Sequence, residues 1–380
     1  MIYDAIIIGG GPAGLMAANI LNEKKVNYLL IEKNERVGKK ILLTGGKRCY
    51  VTNNLSVKDF IEALNLKDKR FLYEALNQFG PKDVIAFFKS RGLNLILENN
   101  FKYFPETQKS QSVVDALIQG IDQRRIIYKS AVKRISVVED IFLIETQGAQ
   151  YSAQKVLLST GSNAYPTVGS SGDGLIFAEK LGLPIIPFTP AETYVYSSDV
   201  QENHKDLQGV VIQQSTISIK QTKKRYTGDL LFTHFGLSGP VILHASEDIY
   251  DSIEEGKNIL TIQMTDLGEE EIMALLKDFR MKLPLQFLES LLTKKLALKV
   301  LIQSGIRSVK IAELSTKEIQ SLLNCLTAFE IKLDRVESIE KAFVNRGGID
   351  TKSIDPKTMQ SKLINNLFLA GELTNLHGPI

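Results

Sequence analysis

The sequence predicts an α/β fold in which a parallel sheet opens the chain and a β-rich part with a helical block is inserted later. Three observations carry this. Residues 4–32 run through an apolar stretch, a glycine cluster, a helical pattern and a second apolar stretch. Two further apolar runs, Lys155–Gly161 and Leu367–Glu372, also end in small residues. From Pro190 the texture changes to short runs that partly alternate apolar and polar residues.

The opening element is Ala5 to Ile8, apolar throughout, as expected for a central strand covered on both faces. Gly9, Gly11 and Gly14 then give G-x-G-x-x-G, followed by Leu15, Ala18 and Leu21 at helical spacing. A second strand, Tyr28 to Ile31, ends at Glu32. Each part has a physical task. Gly9 permits a tight turn, Gly11 lets backbone approach a pyrophosphate, and Gly14 lets helix and strand pack closely. The helix start, entered through Pro12 and Ala13, presents N–H groups and positive potential to phosphates. Glu32, 18 residues past Gly14, is placed to accept hydrogen bonds from ribose hydroxyls. These residues predict a site for an adenine dinucleotide, and the fingerprint by itself does not separate NAD from FAD.

The next signal is T-G-G-K-R-C-Y-V-T-N, residues 44–53. Thr44, Gly45 and Gly46 permit another close backbone approach, and Lys40 and Arg48 supply charge for a pyrophosphate. A flavin needs such a second set of contacts, whereas a nicotinamide enzyme keeps its ring reachable. Cys49 has no partner in a Cys-x-x-Cys pair, which excludes a disulfide-reductase mechanism, and it reads as a small buried packing residue. The strand ends at Thr160-Gly161 and Gly371-Glu372 complete the pattern, since ligands lie outside the carboxyl ends of parallel strands.

Composition bounds the rest. The 380 residues, 44% apolar and 23% charged, suit a globular protein of two or three domains. A formal charge of +3 gives no footing for nucleic acid, and Lys39-Lys40 and Lys223-Lys224-Arg225 are short. Cys49 and Cys325 cannot build a disulfide framework, and the four histidines, His204, His234, His244 and His377, have no metal-ligand spacing. The first residues resemble neither a signal peptide nor a membrane span, so the expected compartment is the cytoplasm, with no metal, membrane or nucleic-acid partner.

The motifs G-G-G-P-A-G (9–14), G-G-K-R-C-Y-V-T-N (45–53), S-T-G-S-N-A-Y-P-T-V-G-S-S-G-D-G (159–174), L-L-F-T-H-F-G-L-S-G-P (230–240), T-M-Q-S-K (358–362) and A-G-E (370–372) occur in this order. With them the chain resembles, over essentially its whole length, the bacterial aminoacetone oxidase family of FAD flavoproteins, relatives of the bile-acid dehydro-reductases. The resemblance implies a two-dinucleotide-type, glutathione-reductase-like Rossmann domain holding FAD non-covalently, formed by 1–189 and 341–380. It implies an inserted β-rich substrate domain, 190–265 with 326–340, and a small helical domain, 266–325. It adds Lys33 and the backbone near Val132 to the cofactor residues. The implied reaction is oxidation of a small primary amine, aminoacetone, by dioxygen to methylglyoxal, ammonia and hydrogen peroxide. The alternative is a nicotinamide-fed reductase of conjugated enones; V-G-S-S-G-D-G has the wrong spacing for a second dinucleotide fingerprint. An RNA-modifying flavoprotein is disfavoured by the low net charge, and a flavin binder without turnover would require that the chain end where the sequence does.

Candidate catalytic residues are His234, Tyr50 and Glu192. His234 either deprotonates an ammonium substrate or holds a glycine-rich turn. Tyr50 stands where the family pattern has asparagine, and Glu192 where it has leucine. Glu192 is either a loop acid in solvent or a carboxylate that holds a cationic amine. After A-G-E the family pattern reads D-x-D-G and then G-G-Y-N. Here Asn375 and His377 stand in place of the acids, and the sequence is expected to be cut short before the segment that covers the flavin edge.

Overall fold

The computed structural model describes residues 1–64, 69–99 and 101–378. By contacts the chain divides into two units, Met1–Thr189 with Val344–Ile380, and Pro190–Phe343.

The first unit is built on strands β1 (Ile2–Ile8) and β2 (Tyr28–Ile31), joined by helix α1 (Pro12–Glu23). A small antiparallel sheet, β3 (Thr52–Asn53), β4 (Leu95–Glu98) and β5 (Lys102–Pro105), lies among helices in the following segment. The main sheet continues with β6 (Ile126–Ile127), the hairpin β7 (Val132–Val138) and β8 (Ile141–Thr146), and the long β9 (Gln150–Leu158). Its order is β6-β2-β1-β9-β8-β7. Strands β6, β2, β1 and β9 are parallel, with Ile6 opposite both Leu29 and Val156. Ile6, Ile7, Val156 and Leu158 are fully buried, so their continuous apolar runs reflect cover on both faces.

Strand β9 changes partner along its length. Its first half pairs antiparallel with β8, Phe142 opposite Ala153, while Val156 to Leu158 pair parallel with Leu367 to Leu369 near the carboxyl end of the chain. This switch brings the A-G-E segment beside the end of β9 and Gly371 against Ala13 at the start of α1, over 350 residues away in sequence. Strand β10 (Ile185–Ala191) pairs in a separate two-stranded sheet with residues 344–349.

The second unit holds a seven-stranded antiparallel sheet. Its strands are β11 (Val195–Tyr196), β12 (Val211–Ile219), β13 (Arg225–Phe232), β14 (Gly236–Ser238), β15 (Ile259–Ile262), β16 (Phe329–Lys332) and β17 (Arg335–Val336), in spatial order β16-β15-β12-β13-β14-β11-β17. In β12 the alternation expected from sequence appears as Ser215, Ile217 and Ile219 buried on one face. Residues 266–325, expected to form a domain of their own, share one apolar core with the sheet: Leu276, Phe287, Leu296, Val300 and Leu322 pack in the same cluster as Ile217, Leu230 and Phe232. The capping box read from Ser315 and Glu318 is formed, the Ser315 hydroxyl accepting from the Glu318 N–H and the Glu318 carboxylate from the Ser315 N–H. Remaining strands are β18 (Val344–Ile349) and β19 (Leu367–Leu369), both in the first unit. Among the described residues no helix is long and apolar enough to cross a membrane.

Candidate cofactor site

The carboxyl ends of β1, β2, β9 and β19 open into one cleft of about 1200 Å3 of empty space, mouth included. Its lining gathers Gly9, Gly11, Pro12, Ala13, Glu32, Lys33, Lys40, Thr44, Val132, Thr160, Gly161, Gly371 and Glu372 from the sequence-derived candidates.

The three fingerprint glycines are needed for different reasons. A Cβ on Gly14 would stand 2.0 Å from the Gly9 carbonyl oxygen and 2.8 Å from Ser159 Oγ, so Gly14 serves packing between α1 and the strand ends. Gly9 lies at φ +105°, and a Cβ there would meet the Ser159 carbonyl at 2.6 Å. A Cβ on Gly11 would meet nothing within 4 Å. Protein packing therefore does not demand glycine at 11; the room is left on the cleft side, where a ligand's backbone approaches. No side chain caps α1, so the N–H groups of its first turn are available to an anion.

Glu32 is buried and heavily bonded. Its Oε2 accepts from the Gly10 N–H at 2.8 Å, and its Oε1 accepts from the Asn34 N–H at 2.9 Å and the Asn34 Nδ2 at 2.7 Å. The strand-end acid thus ties the glycine turn to the end of β2 while lining the cleft. Beside it, Lys33 Nζ pairs with Asp173 at 2.7 Å and donates to Ser171, joining β2 to the glycine-rich 169–174 segment. Asn34 Nδ2 adds a bond to the Val168 carbonyl at 3.3 Å. Lys40 pairs with Glu372, whose carboxylate also accepts from Ser162 Oγ. Arg36, missed in the sequence, lines the cleft without an ion pair among the described residues. Other lining residues the fingerprint did not reveal are Gly10, Gly38, Ser130, Ser159 and Ser170. Gly10 stands inside the G-G-G-P-A-G motif, and its N–H is what Glu32 holds.

Gly45 belongs to the turn Ile41–Lys47. Three expected residues lie off the cleft lining. Gly14 packs as described. The Arg48 guanidinium is held by Glu98 and Gln108 and lies 4.4 Å from the centre of the Phe104 ring, so a structural ion pair occupies the charge assigned to pyrophosphate. Cys49 is buried in the core at φ +66°, and burial pushes its thiol pKa up, which suits a packing residue rather than a thiolate.

Among the candidate catalytic residues, Tyr50 stacks against Phe104 at 6.1 Å, its hydroxyl accepting from Asn53 at 3.3 Å, and burial raises its pKa. His234 and Glu192 belong to the second unit. His234 is exposed and packs edge-on to Phe235 at 5.0 Å. Glu192, weighed as a solvent-facing acid, is buried and sits at φ +46°. No group of three or more metal-ligating side chains occurs among the described residues.

The cleft fits FAD on its own features: the open cradle at Gly11, the uncapped start of α1 and the carboxylate at the end of β2. Thr160 lines the cleft, but its Oγ1 is turned into the protein against Gly174, where an added Cβ would stand 2.0 Å from it. Fold and cleft together define the class, an FAD-dependent oxidoreductase built on a Rossmann domain. The chain belongs to the HI0933-like Rossmann domain family, whose profile matches residues 3–380.

It is 26% identical over 385 residues to the ribosomal RNA dihydrouridine synthase of Escherichia coli, covering 99% of this chain and 92% of that protein. It is 27% identical over 386 residues to the 3-dehydro-bile acid delta(4,6)-reductase of Clostridium scindens, covering 98% and 93%. Among solved structures, a quinol fumarate reductase of E. coli aligns with a TM-score of 0.50 at 13% identity, covering 100% of this chain and 66% of that one, which shows a shared fold.

Proposed function

We propose that the protein is an FAD-dependent reductase of a carbon–carbon double bond conjugated to a carbonyl group. The observation that carries this reading is the breadth of similarity: both long relatives match across the second unit as well as the cleft. Their names share one chemistry. Uridine and a 3-dehydro-bile acid with Δ4,6 unsaturation each present a C=C bond conjugated to a ring carbonyl. Reduction adds a hydride equivalent and a proton across that bond, and the hydride equivalent is drawn from a reduced nicotinamide.

Bound FAD supplies the two-electron transfer. The chain's own residues would bind and orient it: α1 and Gly11 at the pyrophosphate, and Glu32 and Asn34 at the ribose end. Lys33 and Lys40 would fix the cleft walls through Asp173 and Glu372.

A second reading, oxidation of aminoacetone, is what the resemblance carried by the ordered motifs from 9–14 to 370–372 ranked first. In that reaction amine, dioxygen and water give methylglyoxal, ammonia and hydrogen peroxide.

One anaerobic experiment separates the two. The FAD-loaded protein receives NADPH, then cyclohex-2-enone or a uridine-bearing rRNA fragment; a parallel sample receives aminoacetone alone. Bleaching of the flavin by NADPH and its return on adding an unsaturated carbonyl supports reduction. Bleaching by aminoacetone alone, with peroxide formed on admitting air, overturns it in favour of amine oxidation.

A further inference from the structure

The second unit carries an aromatic cluster that the cofactor cleft does not use. Tyr194 and Tyr196, two apart on an extended segment, share a face. The Phe235 ring lies 4.6 Å from the Tyr194 centroid and 5.3 Å from that of Tyr196, and the two tyrosines are 5.8 Å apart. Phe235 is brought there by close backbone packing. Leu237 pairs with Val195, and a Cβ on Gly236 would stand 2.2 Å from the Val195 carbonyl oxygen. The Phe235 carbonyl is fixed by the Ser197 N–H and Gln201 Nε2.

The tyrosines are pinned as well. Both hydroxyls donate to Glu337 Oε2, from Tyr196 at 3.1 Å, and Oε1 accepts from the Ser338 N–H at 2.6 Å. The Glu337 side chain is only 3% exposed. Arg335 Nη1 and Lys341 Nζ each lie 3.8 Å from this carboxylate, so its charge is paired as well as bonded, and it holds the two phenols at fixed positions. Burial, followed by the bond to Glu337, raises the Tyr194 pKa, which keeps its proton on the donor.

Opposite Tyr196 in the sheet stands Arg335, its guanidinium 3.7 Å from the ring centre, its Nη1 donating to the Val336 carbonyl at 3.2 Å, and its side chain 57% exposed. The rings themselves are half-buried, and His234 stands exposed at the edge of Phe235. A rigid aromatic surface edged by an exposed guanidinium matches a planar ligand with an acceptor on its rim: the ring stacks, and the fork donates to oxygen.

We propose that Tyr194, Tyr196, Phe235 and Arg335 form a binding site for a planar ring bearing a conjugated carbonyl. The assignment rests on the reductive reading above for its ligand class, while its test needs no turnover. Equilibrium dialysis of the oxidised, FAD-loaded protein is run with uridine, a uridine-bearing oligoribonucleotide and cyclohex-2-enone as probes. Phe235→Leu and Arg335→Met are compared with the unaltered chain, and flavin content reports that each remains folded. Arg335 lies in solvent, so its variant stands if Phe235→Leu fails to fold.

Each substitution is expected to weaken binding about tenfold, as for loss of one base–aromatic stack or one charged donor, with flavin content unchanged. Binding of nucleoside or oligonucleotide alone assigns the ring to RNA, and binding of the enone alone assigns it to a small molecule. Failure of all three probes to bind, or equal binding by both variants and the unaltered chain, overturns the site. Reduction without binding at this cluster would leave the reductive reading standing and remove only this assignment.

Discussion

The cofactor cleft and the aromatic cluster are built on opposite plans. The cleft turns on residues that withhold side chains at its strand ends: Gly9, Gly11, Gly161 and Gly371 leave backbone exposed, and three of these four have φ near +76° or +105°. The cluster is made by large side chains converging from residues 194–196, 235 and 335–337, pinned by one buried carboxylate. A ligand held by backbone and helix ends imposes a local sequence pattern, because the turn must be formed by neighbouring residues. A ligand held by rings imposes none, because strand pairing chooses which residues meet.

The sharpest way to break this contrast is to separate packing glycine from ligand glycine. Gly14→Ala places a Cβ 2.0 Å from the Gly9 carbonyl, so α1 must move off the strands. We expect a loss of about 3 kcal/mol, at the upper end for overpacking, together with loss of bound flavin. Gly11→Ala meets no protein atom within 4 Å. Its urea midpoint should stay within about 0.5 kcal/mol of the unaltered chain, while FAD retention on desalting falls. Equal destabilisation by the two substitutions would refute the assignment of Gly11 to the ligand.

Glu32→Gln comes next. The new amide would turn a donor toward groups that already donate, the Gly10 and Asn34 N–H groups. Leaving one buried donor unmet costs about 2 kcal/mol, or roughly thirtyfold in FAD affinity by fluorescence titration if the turn relaxes with it. Asp173→Asn is smaller. The Lys33–Asp173 pair is 27% and 39% exposed, so its loss should quicken FAD release by no more than about fivefold, the equivalent of about 1 kcal/mol for such a pair. That effect should shrink as salt is raised.

How much was legible follows the same division. The β1–α1–β2 unit and the terminal acid could be placed from sequence because each depends on residues a few positions apart. Thr160 and Glu372 could be placed because their strands end in small residues. The pairing of Arg48 with Glu98 was hidden, since a charged side chain near a glycine turn reads as an anion ligand until its partner across the β4–β5 hairpin is seen. Residues 266–325 read as a separate domain because a leucine-rich helical pattern does not say what its apolar stripe packs against. Phe235 lies inside the 230–240 motif beside His234, whose ring chemistry is the more conspicuous in sequence but which the fold leaves in solvent.

The smallest effect asks whether the second unit hides polar groups as tightly as the cleft does. His204 is 3% exposed, its ring packs edge-on to Phe329 at 5.3 Å, and its Nδ1 is buried without a hydrogen-bond partner. Burial lowers its pKa; Asp199, 3.7 Å from Nε2, and Asp206 oppose that, while Lys299 reinforces it. The folded chain therefore keeps His204 neutral at a pH where the unfolded chain protonates it. Because the unfolded state then binds more protons, stability falls as pH drops below the ordinary histidine value of about 6.5. The slope is bounded by one proton, about 1.4 kcal/mol per pH unit. Urea midpoints of the unaltered chain and His204→Phe, measured from pH 7.5 to 5.5, should diverge as pH falls, the variant losing less, because phenylalanine has no proton to gain. Parallel curves across that window would mean that the neighbouring carboxylates already hold the imidazole at its ordinary pKa, and that polar groups in the second unit are compensated as fully as Glu32 is in the first.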